Sequence, residues 1–158
     1  MRRLTIGVAA AVALSLALAA CGGGSPLSHD EYQQKLTTLG RQANQQAAVV
    51  LGALFASKGD LKKIAPQIDQ AADAIGGYAD QLDGLTPPDD AADANAKLVE
   101  GFHAAENVLH QMADAAKAGD EQKVKSLSDS LTKGDYAKEL AAAGKELTKA
   151  GYTLPQGQ

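Results

Sequence analysis

The chain has 158 residues, of which 45 % are apolar types, 4 % aromatic and 22 % charged, with no Trp, one Cys and a formal charge of −4. That is the length of one ordinary domain. It carries no excess of positive charge to hold nucleic acid and no second cysteine to build a disulfide framework.

Charge and apolar residues are unevenly placed along the chain. Met1-Arg2-Arg3 is a short basic start, residues 4–20 are uncharged and largely apolar, and this run leads through Leu18-Ala19-Ala20 into Cys21. A cationic start, an apolar stretch and small residues before a cut are the layout of a secretory signal. The 17 residues of the run include Thr5, Gly7 and Ser15, and a membrane-spanning helix needs roughly 20 predominantly apolar residues. Leu18, Ala19, Ala20 and Cys21 match the bacterial lipobox pattern. Residues 1–20 therefore read as a lipoprotein signal peptide, cleaved just before Cys21. The lipobox resemblance implies a diacylglycerol on the Cys21 sulfur and often a further acyl chain on its freed amine. Two chains matter physically, because one gives only marginal, reversible membrane binding.

Residues 21–27 read as the lipidated cysteine and a Gly/Ser/Pro linker, whose Gly22–Pro26 stretch spans about 12 Å as a flexible coil. With Arg2 and Arg3 gone, the mature 138 residues carry 13 basic and 19 acidic side chains, a formal charge of −6. Such a body is mildly repelled by an anionic membrane, so the lipid at Cys21 must do the anchoring.

Residues 28–152 read as one all-α domain and 153–158 as a tail, since no alternating or β-branched run suggests a strand. Ser28 caps the first helix, Glu31 completes a capping box, and Leu27 can staple onto Tyr32. Tyr32, Leu36, Leu39, Ala43, Ala47, Val50 and Leu54 then recur on one helical stripe to about Ser57. Gly59 ends this helix and Asp60 can cap the next. Ile64, Ile68, Ala71, Ile75, Tyr78 and Leu82 form the second stripe, with a short or kinked lead-in expected before Pro66. Gly76-Gly77 weakens its middle. Thr86-Pro87-Pro88 makes a turn, with Pro88 in the first turn of the third helix and Asp89, Asp90 and Asp93 near its positive end.

The third helix carries the cleanest periodicity, Leu98, Phe102, Ala105, Leu109, Met112 and Ala116. Gly119-Asp120 repeats the stop-and-restart chemistry of Gly59-Asp60. The fourth carries Val124, Leu127 and Leu131, changes phase at Gly134-Asp135, and continues through Tyr136, Leu140, Ala143 and Leu147 to Gly151. Short connections between amphipathic helices place neighbours antiparallel, so the expected architecture is an up-down-up-down four-helix bundle with its fourth helix kinked near Gly134.

Little in this pattern points to chemistry. Ser28-His29-Asp30 is contiguous and explained by capping, whereas a nucleophilic triad converges from separate elements. His103, Glu106 and His110 fall on one flank of the third helix and are competent metal ligands by type. The two histidines are separated by about 10.5 Å along the axis, so one ion could not use both without ligands from another helix. The plain alternative is a solvated face with a Glu106–His110 pair. Haem and EF-hand patterns are absent, and no cofactor is expected. Ala47–Ala56 is ten consecutive apolar or Gly positions, more than one bundle stripe uses. Its surplus either packs deeply or forms a recognition patch around Val49, Gly52 and Phe55.

The lipobox, the Leu27-Ser28 to Glu31-Tyr32 start, the Leu85-Thr86-Pro87-Pro88 turn, the Gly119-Asp120 corner and the Ala150-Gly151-Tyr152 end together resemble small helical lipoproteins of high-GC Gram-positive (actinobacterial) bacteria. Members of that family often carry one cysteine late in the first motif and another near the C-terminus; neither region has one here. The resemblance implies a cell-envelope address and a helical fold. The expectation is a lipid-anchored module on the extracytoplasmic face of the cell membrane, binding or scaffolding an envelope protein, without enzymatic activity or nucleic acid. The alternative is a carrier of a lipid or other apolar small molecule within the bundle.

Overall fold

The computed structural model describes residues 25–56 and 60–155. Cys21 and Gly59 lie outside these residues, as do the side chains of Ala47, Val50, Leu51, Leu54 and Phe55. Every regular element described is an α-helix: α1 His29–Ala56, α2 Leu61–Asp83, α3 Ala92–Ala118, α4 Glu121–Lys133 and α5 Asp135–Lys149. The bundle has four arms, the fourth divided into α4 and α5 at Gly134, whose extended backbone (φ −63°, ψ 166°) interrupts the helix.

Local chemistry sets the helix ends. The Ser28 backbone N–H donates to the Glu31 carboxylate at 2.9 Å while the Glu31 N–H approaches the Ser28 hydroxyl at 3.4 Å, a reciprocal cap. Gly119 ends α3 in the left-handed region (φ 76°), which glycine adopts without steric cost. Asp120 then caps α4, its carboxylate accepting the Lys123 N–H at 2.9 Å.

Two boundaries differ from the sequence expectation. There is no separate lead-in before Pro66, because α2 begins at Leu61 and runs through the proline. Pro66 sits in the second turn, where its missing N–H removes one helical bond, and the adjacent Ile64, Ala65 and Ile68 are buried. Pro88 lies outside α3, which starts at Ala92. Residues 88–91 form a turn instead, closed by the Ala91 N–H on the Pro88 carbonyl at 2.9 Å. That turn presents Asp90 to the Tyr152 hydroxyl, which donates to it at 3.1 Å, and buries Ala91.

The interface between α2 and α3 is the most extensive. Ala65, Ala72, Ala79, Ala113 and Ala116 are fully buried on these two helices, and such small side chains let helix backbones approach closely. One core cluster gathers Tyr32, Leu36, Leu39, Leu82, Leu98, Leu147 and Tyr152; a second gathers Ile64, Ile68, Met112, Ala113 and Ala116. Both clusters, with the partly buried residues against them, are built from residues between Leu27 and Leu154. A chain begun at Ser25 therefore holds every described residue of both clusters.

Beside the first cluster the segments flanking the helices, at Leu27 and at Thr153, are tied down. Leu27 donates its N–H to the Thr86 carbonyl at 2.8 Å. Gln33 on α1 accepts from the Thr153 N–H and donates to the Thr153 carbonyl, both at 2.7 Å. The tail then crosses α1 at Gly40, where a Cβ would lie 2.8 Å from a Pro155 ring carbon. No described helix is long and apolar enough to cross a membrane.

Candidate functional site

A cavity of about 410 Å³ lies among all the arms of the bundle. Its floor is the packed pair α2 and α3, through Ala71, Ile75, Phe102, Ala105, Leu109 and Met112. Leu131, Tyr136 and Leu140 wall the side of α4 and α5, and Ala43 of α1 closes another. The polar contributors are Gln46, Ser128 and Thr132 from α1 and α4, all uncharged, together with the Tyr136 phenol. Among the described residues no Asp, Glu, Lys, Arg or His lines it. Small side chains line it at Ala43, Ala71 and Ala105. The periodic apolar stripe of α3 is unevenly covered: Leu98, Met112 and Ala116 are buried, whereas Phe102, Ala105 and Leu109, which line the cavity together with Met112, are half-buried.

Close approach shapes one wall. A Cβ at Gly101 would lie 2.6 Å from the Leu140 side chain, so the absence of a side chain on α3 lets Leu140 lie where it does. The Tyr136 hydroxyl is buried without a hydrogen-bond partner. Desolvation raises its pKa, opposed by the nearby Ser130 side chain, which does not meet hydrogen-bond geometry with it, so the phenol is neutral at physiological pH.

A second depression, of about 460 Å³, adjoins the cavity at Gln46, which lines both. Gln42, Gln45, Gln46 and Val49 lie at helical spacing along one face of α1, and Tyr78 and Gln81 face them from α2. Four of the six described residues lining it are glutamines, and none of the six is charged. The Gln81 amide N–H donates to the Gly77 carbonyl at 2.9 Å. Burial raises the Tyr78 pKa as well.

The histidines of α3 are engaged with carboxylates of α2. His110 Nδ1 lies 2.9 Å from Asp69, while its Nε2 lies 3.6 Å from Asp73 and 4.0 Å from Glu106. His103 Nδ1 lies 3.1 Å from Glu106 and its Nε2 3.9 Å from Asp80. The Glu106 carboxylate occupies the room left by Gly76, where a Cβ would overlap it. Asp69 has its pKa lowered, first by the hydrogen bond with His110 and further by Lys117. The three residues flagged by spacing thus form a cross-helix ladder of polar pairs. Among the described residues no group of three or more His, Cys, Asp or Glu side chains is placed to hold a metal ion.

His29 does not form a relay with its neighbours. Its ring stacks on Tyr152 with centroids 4.1 Å apart, and the Ser28 hydroxyl donates to Glu31 at 2.6 Å. In the Val49, Gly52 and Phe55 set, Val49 is 57 % exposed and a Cβ on Gly52 would meet nothing within 4 Å. The Phe55 side chain lies outside the described residues.

Sequence reasoning missed Asn95, the sole buried polar or charged residue described. It accepts the Tyr32 hydroxyl at 2.8 Å and donates to the Leu82 carbonyl at 3.1 Å, joining α1, α3 and α2. The signal was available, because Asn95 lies three residues before Leu98 on the apolar stripe of α3. It missed the glutamine groove for a different reason: Gln42, Gln45 and Gln46 are ordinary residues for an exposed helix face, and only the position of Gln81 gives them an opposite wall.

No protein-family model matches the chain, and no curated protein or solved structure matches it significantly.

Proposed function

We propose that the mature chain is a lipid-anchored binding module on the extracytoplasmic face of the cell membrane, and that it takes an apolar small molecule into the cavity between its helices. The observation that carries this reading is the cavity lining, an apolar floor with no charged side chain among the described residues. Ligand sites are concave and mostly apolar, with a few polar groups and volumes of about 300–1,000 Å³. An engineered apolar cavity of about 150 Å³ holds benzene. By that scale, 410 Å³ accommodates about 16 non-hydrogen atoms.

At about −0.3 kcal/mol per atom such a ligand gains about −5 kcal/mol, a Kd of about 0.2 mM. Anchoring at Cys21 through a short linker would hold the cavity close to the lipid surface, where apolar molecules concentrate. The lipobox and the likeness to actinobacterial lipoproteins support this address, and the reading assigns the chain no reaction.

Titration of a chain begun at Ser25 with the uncharged fluorophore N-phenyl-1-naphthylamine tests the binding. Saturable binding, weakened at least tenfold by Ala105→Phe, is expected. A wild-type chain that fails to bind, or an Ala105→Phe variant that binds equally, contradicts the reading. The address is tested separately in the full chain. Cys21→Ser should abolish lipid attachment and cleavage before residue 21, leaving the longer precursor; unchanged processing and lipid attachment, read by mass, would contradict it.

A further inference from the structure

The cavity alone does not account for the groove beside it. The cavity presents carbon on its α2 and α3 side and uncharged polar groups toward α1 and α4. At Gln46 the chemistry changes to four glutamines with Val49 and Tyr78. An extended apolar molecule seated on Leu109 and Phe102 and directed toward α1 reaches Gln46 and, past it, amides rather than water alone.

We infer that cavity and groove form one site for a single-chain, non-ionic amphiphile, with the tail between the helices and a hydroxyl-bearing head against Gln42, Gln45, Gln46 and Gln81. This rests on the proposed apolar-ligand reading and adds the class of the head. Three observations select that class. A glutamine amide both donates and accepts, which suits hydroxyls that do the same. Among the described residues neither lining holds a charged side chain, so an ionised head would lose hydration without an ionic partner there, which is costly. The mature chain is also net acidic, with 19 acidic against 13 basic residues, which opposes the approach of an anion. The tail volume corresponds to about 16 carbon-sized atoms, one acyl or alkyl chain rather than two.

The test holds the tail constant and changes the head. Calorimetric titration of a chain begun at Ser25 would use decyl β-glucoside, decanoate at pH 8 and decyltrimethylammonium, each below its micellar concentration. The glucoside is expected to bind at least tenfold more tightly than either ion. Combined Gln42→Ala, Gln45→Ala and Gln81→Ala changes alter exposed positions. They should weaken the glucoside about tenfold, at a few-fold per lost neutral hydrogen bond, while N-phenyl-1-naphthylamine binding is unchanged.

Equal affinity for glucoside and either ion overturns the assignment of the head, as does a triple variant that keeps full glucoside affinity. In both cases binding of the fluorophore leaves the apolar-ligand reading standing. Loss of fluorophore binding by the wild-type chain removes that reading and this one together.

Discussion

The end of the bundle around Leu27 and Thr153 and the middle of the bundle are made from the same helices in opposite ways. At that end, Tyr32, Leu82, Asn95 and Tyr152 are all buried, and the Tyr32 and Tyr152 hydroxyls and the Asn95 amide have partners. In the middle, alanines face open space and the Tyr136 hydroxyl has none. Alanine itself does not decide the outcome. Ala79 and Ala113 are fully buried between α2 and α3, where a methyl group fills the gap between close backbones. Ala105 presents the same methyl group to a cavity. Composition therefore says how many small side chains the bundle holds, and helix placement says whether they fill space or leave it.

The contrast is sharpest under one substitution made in both regions. Ala79→Phe forces a ring into a closed interface and should cost about 3 kcal/mol, the upper end of overpacking. Ala105→Phe should be tolerated, or stabilise by about 1 kcal/mol, as cavity filling does. Urea unfolding midpoints measure both, and similar destabilisation at the two sites would erase the distinction.

The next largest effect is expected at Asn95. Asn95→Leu leaves the Tyr32 hydroxyl unpartnered in a buried setting, while the Leu82 carbonyl keeps the Leu85 N–H at 3.1 Å, at a cost of about 1–3 kcal/mol. A loss well under 1 kcal/mol in the same urea experiment would mean that water reaches that hydroxyl. In the middle, Tyr136→Phe removes a hydroxyl that already lacks a partner, so a change between about 0 and 1 kcal/mol in the stabilising direction is expected. A clear loss of stability there would show that the hydroxyl is satisfied.

The smallest effect concerns the exposed cap of α1. The Ser28 hydroxyl, and then its backbone N–H, hold Glu31 below its ordinary pKa of 4.5. A group whose folded pKa is depressed contributes stability above its unfolded pKa and loses it as pH falls through the folded value. Glu31→Gln should therefore flatten the fall in stability below about pH 4.5 and leave the shape of the profile above it unchanged. Superimposable wild-type and variant profiles below that pH would contradict the capping role.

Much of the fold was legible because it rests on local chemistry. Ser28 with Glu31, Gly119 with Asp120 and the phase change at Gly134 mark helix ends through short-range hydrogen bonds and backbone preference, and each acts where the residues stand. Pro66 and Pro88 were misplaced because tertiary packing outweighs a local rule there. Burial of Ile64, Ala65 and Ile68 keeps α2 continuous through one proline, and the Asp90–Tyr152 tie holds a turn after the other. The histidine flank was legible as a flank, but Asp69, Asp73 and Asp80 lie some 20 to 40 residues away and gave no hint of the ladder. The cavity was the least legible feature. Phe102, Ala105 and Leu109 carry the same periodicity as Leu98 and Met112, and periodicity records which face is apolar without recording how closely another helix approaches it.

The central claim, that this open middle is a binding site, is tested most directly by thermal unfolding with and without 1-decanol. A ligand that binds only the folded state raises its stability by RT ln(1 + [L]/Kd). The wild-type melting temperature should rise with 1-decanol concentration, while that of Ala105→Phe, with its ring in the cavity, should stay nearly constant. No rise in the wild type, or an equal rise in both, would contradict the account.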